Sequence, residues 1–132
     1  MRRGRRESSP DRERGSAVVD FVLVGALVTV LLAAVLQLAL ALHVRTTLVD
    51  CAAEGARVGA LLGSSAEAGV ERTKYLVGSA LSPAYAQDVE ASVTDVDGAS
   101  VLEISVRAPL PVVGLLGPSG VVVASGRAFV ES

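Results

Sequence analysis

The sequence predicts an α+β chain: a long N-terminal helix, apolar at first and amphipathic later, then a second short helix and a small antiparallel sheet. Three observations predict it. Phe21 to Leu42 is a run of 22 residues broken only by Gly25, Thr29 and Gln37, and a helix needs about 20 apolar residues to cross a hydrocarbon core of about 30 Å. From Val44 to Leu62 the apolar residues recur at three- and four-residue spacing, the signature of a one-sided helix. Beyond Asp88 the period changes to two, as it does in half-buried strands.

Residues 1–15 read as a basic, structureless leader. Residues 1–14 hold six arginines against Glu7, Asp11 and Glu13, a local charge of +3, whereas the whole chain of 132 residues carries −2. Such a short charged stretch, containing Pro10, buries too little to order itself. Positive charge gathered in a leader rather than on a face argues against a nucleic-acid partner. It fits an N-terminus held in the cytoplasm by the positive-inside rule.

Residues 16–42 read as a transmembrane helix, with the lipid bilayer as its partner. Fourteen of the 22 residues from Phe21 to Leu42 are Leu, Val or Phe. At mid-helix these contribute very roughly −4 to −8 kcal/mol to insertion, and Asp20 at the edge opposes it by up to about 3 kcal/mol. Localisation follows: a single-pass cell-membrane protein whose residues 43–132 form an extracytoplasmic α+β domain.

No helix breaker follows Leu42, so the helix is expected to continue to about Leu62. Leu48, Cys51, Ala52, Gly55, Val58, Gly59 and Leu62 share one face, and Thr46, Asp50, Glu54 and Arg57 the other. Gly63-Ser64-Ser65 breaks it. Ser64 with Glu67 reads as a capping box opening the second helix, whose apolar face is Ala66, Val70, Leu76, Val77, Ala80 and Leu81 and which Ser82-Pro83 ends. Val89, Ala91 and Val93 alternate with polar residues in a first strand. Asp97-Gly98 is a hairpin turn. Leu102, Ile104, Val106 and Ala108 alternate in a second strand that Pro109 and Pro111 stop. A Gly/Pro loop covers Gly114 to Gly120, and Val121 to Val130 is the last strand, with Gly126 as a bulge candidate. With no Trp, two Tyr and two Phe, the core must be aliphatic. That is thin for so small a soluble part and favours support from the membrane or from partner subunits.

The junction Arg14-Gly15-Ser16-Ala17-Val18-Val19-Asp20-Phe21 is the chemically distinctive stretch. A polar leader, a small residue and a helix starting just after it are what a prepilin-type peptidase needs at the cytoplasmic membrane face. Cleavage between Gly15 and Ser16 would expose a new amine, and Asp20 of a neighbouring subunit would pair with it in low dielectric, guiding docking beside Phe21. A plain uncleaved anchor is the alternative, its external domain binding a cell-envelope partner. A secretory signal is the rival, through Ala39-Leu40-Ala41, although the apolar run is about twice the usual length.

Gly55, Gly59 and Gly63 are four apart, as are Ala52, Ala56 and Ala60, which lets helices approach closely, within the chain or between subunits. Cys51 is single, so no internal disulfide forms, and it reads as a small buried apolar residue. His43 reads as an interfacial polar residue. Asp95-x-Asp97-Gly98 lacks the remaining calcium ligands and reads as a turn. One His and one Cys build no nucleophile–base pair, metal cluster or phosphate loop. The chain is therefore read as no enzyme, with no cofactor, no metal and no small-molecule substrate.

From Arg14 to Arg57 the chain resembles the TadE-like family, pseudopilins of the tight-adherence (Flp-type) pilus machinery. The resemblance rests on Arg-Gly-Ser-Ala-Val-Val-Asp-Phe at 14–21, the apolar helix, and Val44-Arg45-Thr46-Thr47-Leu48 running into Ala52-Ala53-Glu54-Gly55-Ala56-Arg57. It implies a pilin-like architecture and processing after Gly15 by a dedicated aspartyl prepilin peptidase. It also implies a minor or accessory role in pilus assembly or a related secretion filament. The partners implied are other pilins and pseudopilins, an ATPase and the inner-membrane assembly platform. The family usually carries Glu where this chain has Asp20, an acid one methylene shorter. Glu54, Gly55, Arg57 and Gly59 are the candidate helix-packing positions.

Overall fold

A computed structural model describes residues 10–110 and 120–132. The leader up to residue 9, Pro111, and the Gly/Pro loop as far as residue 119 lie outside the described residues. The fold is α+β: an N-terminal apolar helix, a second helix and a three-stranded antiparallel sheet. The chain divides into two compact units, Met1–Leu36 and Gln37–Ser132.

Helix α1 runs from Pro10 to Ala60 without interruption. It starts earlier than the sequence reading, which left residues 1–15 without structure. Pro10 suits a first helical position because its missing N–H would be unpaired there anyway. Asp11 and Glu13 lie in the first turn, where their charge complements the helix dipole, and Arg57 does the same in the last turn. In the first unit every described residue of α1 is exposed. This is the one helix long and apolar enough to cross a membrane among the described residues.

In the second unit α1 becomes one-sided. Val44, Leu48, Cys51, Ala52, Gly55, Ala56, Gly59 and Ala60 are buried. Leu62, expected on that face, is exposed because the helix has already ended. Gly63 adopts φ +82°, a left-handed conformation that turns the chain away, and the Ser64 N–H donates to the Leu61 carbonyl at 2.9 Å. Helix α2, Ala66–Ala80, is capped by Ser65, whose hydroxyl accepts from the Ala68 N–H at 3.2 Å. The cap is therefore one residue later than the expected Ser64. A 3₁₀ turn, Pro83–Ala86, follows; Ser82 caps it by accepting from the Ala84 N–H at 3.1 Å. The sequence reading saw in Ser82-Pro83 only a stop, yet Pro at the start of a helical turn is equally a start.

Strands β1 (Asp88–Val96), β2 (Ala99–Pro109) and β3 (Val121–Phe129) form a meander in the order β1-β2-β3. Asp97 and Gly98 both have positive φ, 54° and 84°, as a two-residue hairpin with right-handed strand twist requires. The Asp95 carboxylate accepts the Gly98 N–H at 2.9 Å, which fixes the turn. Leu102, Ile104, Val106 and Ala108 point to one face with Ala124 and Gly126 of β3, and both helices lie on that face. Pairing runs through Ile104 opposite Gly126 with no slip, so Gly126 is not a bulge. The core is aliphatic, with Leu48, Leu102, Ile104, Val77 and Val106 as its largest fully buried apolar side chains and Tyr85 packed at its edge. Among the described residues Thr73 is the one buried polar side chain, and its hydroxyl donates to the Gly69 carbonyl at 2.9 Å.

Candidate processing junction and helix-packing site

Gly15, Ser16, Asp20 and Phe21 all lie within α1, in its first four turns. All four are exposed, Phe21 at 79 %. A Cβ added at Gly15 would meet nothing within 4 Å. The helix thus passes through the junction, where sequence reasoning expected an unhelical leader. It is weak there. Gly costs about 1 kcal/mol in a helix interior relative to Ala, and an exposed first turn has no tertiary contact to hold it. Ser16 and Asp20 are four residues apart, so they share one face of the helix.

Gly55 and Gly59 meet α2 and the sheet. A Cβ at Gly55 would come within 2.7 Å of the Gly69 carbonyl oxygen and would collide with the Thr73 hydroxyl. At Gly59 it would reach Leu102 Cδ2 at 2.7 Å and the Ser65 carbonyl at 3.0 Å. Gly69 answers from α2: a Cβ there would meet the Gly55 carbonyl oxygen at 2.7 Å and Ile104 Cδ1 at 2.9 Å. Three glycines therefore let the two helices touch backbone to backbone. Sequence reasoning singled out the two on α1 and missed Gly69, whose signal was a small residue beside Val70 at the start of an otherwise larger apolar face.

Glu54 and Arg57 form an ion pair at 3.4 Å on the outer side of α1, with side chains 43 % and 74 % exposed. Cys51 is buried and free. Burial raises its thiol pKa, and the neighbouring Asp50 charge adds to the rise. The thiol stays protonated at neutral pH, which makes it a poor nucleophile.

Two further residues have parts that only the fold decides, although Gly126 stood out as a strand glycine. Gly126 on β3 lies against the backbone of Ala52 and Ala53, so close that any Cβ would collide with it. Glu131 closes the end of α1: its N–H donates to the Ala60 carbonyl at 2.9 Å, and its carboxylate accepts the Leu62 N–H at 3.3 Å. That cap joins residues 69 apart in sequence. Among the described residues no group of His, Cys, Asp and Glu is arranged to hold a metal ion.

The junction from Gly15 on, the apolar run and the first part of the small-residue face of α1 fall together in one comparison. Residues 15–57 match the TadE-like protein family. The matched stretch opens at Gly15 and closes at Arg57, so it holds both the junction and the Glu54–Arg57 pair, while α2 and the sheet lie beyond it. No curated protein and no solved structure matches the chain.

Proposed function

We propose that the chain is a membrane-anchored pseudopilin, or minor pilin, taking part in assembly of a tight-adherence type pilus or a related secretion filament. One observation carries this reading: the TadE-like match covers residues 15–57, and that stretch includes an apolar helix none of whose most apolar window is buried. α1 spans the bilayer with its N-terminus in the cytoplasm and the α+β unit outside. A prepilin peptidase cuts between Gly15 and Ser16 after the first turns of the helix unwind, which Gly15 makes cheap. The new amine then starts the helix, and Asp20, one turn along the same face, offers its carboxylate to the amine of a neighbouring subunit. Such a pair gains strength where water is scarce, and it sets the register of docking. Other pilins and the assembly platform are the partners.

The continuous helix from Pro10 through Gly15 supports a second reading, an uncleaved single-pass protein whose external unit binds an envelope partner. Mass and N-terminal sequence of the membrane-extracted protein, co-expressed with its peptidase, separate the two. Under the first reading the chain begins at Ser16, and Gly15→Leu leaves it uncut because a bulky side chain does not fit at the cut. An intact chain in the presence of a demonstrably active peptidase selects the second reading. Normal processing of Gly15→Leu excludes this site.

A further inference from the structure

The sheet has two unlike ends. At one, the β1–β2 turn carries Asp95 and Asp97. At the other, β2 finishes at Pro109 and β3 begins at Val121; Asp88 of β1 and Arg107 of β2 lie opposite one another there, while β3 carries no charge from Val121 to Gly126. Val121 and Val123 are exposed there, at 65 % and 54 %. A groove at this end is lined by Ala41, Leu42 and Arg45 of α1 with Leu110, Val121 and Val123.

Three contacts fix how β3 lies along α1 within this unit. Val121–Val123 share the groove with Ala41 and Leu42, Gly126 touches Ala52 and Ala53, and Glu131 bonds Ala60. The strand therefore runs beside the helix in the same direction. The ten extended steps from Val121 to Glu131, at about 3.3 Å each, match the eighteen helical steps from Leu42 to Ala60, at about 1.5 Å each, to within about 6 Å. The end of the sheet at which β3 begins is consequently the end at which the apolar run of α1 stops.

We infer that this corner is a second membrane contact. Leu110, Val121 and Val123 enter the headgroup region of the leaflet from which α1 emerges, and Arg45 reaches a lipid phosphate. The inference rests on the proposed membrane anchoring of α1. The continuity of the surface argues for lipid as the occupant: the exposed apolar side chains of the corner adjoin Leu42, itself exposed and the last residue of the 22-residue apolar run. Apolar side chains of a peripheral surface bury a few ångströms into such an interface, and arginine keeps its charge at phosphate level while its stem lies in apolar surroundings. The acidic turn is carried at the other end, and Asp88, the acid at this end, lies opposite Arg107. The effect would be to fix the tilt and rotation of the external unit on the bilayer, so that its free surface is offered to partners in one orientation.

Environment-sensitive labels on single cysteines test this in the full chain, with Cys51→Ala removing the native thiol. The chain is reconstituted in vesicles of phosphatidylethanolamine and phosphatidylglycerol. Labels are placed at Leu32→Cys in the apolar run, Val121→Cys at the corner and Ser100→Cys beside the acidic turn. Quenching is measured with nitroxide lipid and, separately, with aqueous iodide. The expected result is loss of emission to nitroxide lipid at positions 32 and 121, and to iodide at 100. Lipid quenching at 32 with iodide quenching at 121 overturns the second contact and leaves the anchor standing. Protection of 121 from both quenchers also overturns it, because protein then covers the corner. Iodide quenching at 32 overturns the anchor and this inference together.

Discussion

Two stretches of one helix follow opposite rules. In the first unit α1 is rich in Leu, Val and Ala, and its large apolar side chains from Val18 to Leu36 are more than half exposed. In the second unit it is less apolar, yet eight residues from Val44 to Ala60 are buried, five of them Ala or Gly. Hydrophobicity alone would have put the burial in the first stretch. Burial within the chain instead follows size, because a helix that must touch another backbone needs small residues at the crossing. The large apolar side chains are left to surroundings the chain does not itself provide.

The largest expected effect tests those surroundings. Leu31→Asp removes about 0.5 kcal/mol of favourable insertion and adds about 3 kcal/mol against it, a large fraction of what the apolar run supplies. Retention in the membrane fraction after alkaline extraction should fall sharply. Unchanged retention would mean that hydrocarbon does not hold this stretch.

A matched pair of glycine substitutions compares the stretches directly. Gly126→Val drives a side chain into the backbone of Ala52 and Ala53, which cannot move without displacing α1. Its cost should reach about 3 kcal/mol, the upper end of ordinary overpacking, read as a lower denaturation midpoint of the sheet signal in detergent. Gly25→Val meets nothing within 4 Å and should leave that midpoint unchanged. Equal effects would remove the distinction between a packed and an unpacked stretch.

What the sequence made legible was what depends on neighbours in the chain. The period-two pattern of β2 matches its buried residues Leu102, Ile104, Val106 and Ala108, and Asp97-Gly98 forms the hairpin turn that its residue types demand. Local ambiguity accounts for small shifts. Ser64 and Ser65 are both competent caps, and the structure uses the second. Pro10 was read as a sign of disorder where it begins a helix. Long-range features were not legible. A glycine inside a strand signals either a bulge or a close backbone approach, and only the position of α1 decides for approach at Gly126. Glu131 looks like an ordinary terminal acid until the fold brings it to the end of α1. At the junction, the sequence reading identified Gly15, Ser16, Asp20 and Phe21 by residue type, and the structure adds that all four are helical and exposed.

The smallest expected effect separates folding from assembly. Glu54 and Arg57 lie inside the TadE-like stretch but on the outer side of α1, where their pair faces solvent. An exposed pair one helical turn apart contributes at most a few tenths of a kcal/mol. Glu54→Gln should therefore shift the denaturation midpoint by less than about 0.5 kcal/mol in equivalent stability. If the charge serves contacts between subunits, the same variant should recover less partner pilin on co-purification while unfolding as the parent does. A stability loss well above that bound would give Glu54 a part in the fold that its exposed geometry does not contain. Unchanged recovery would assign the pair to the helix surface alone, leaving Asp20 as the acidic group of the matched stretch with a proposed role in docking.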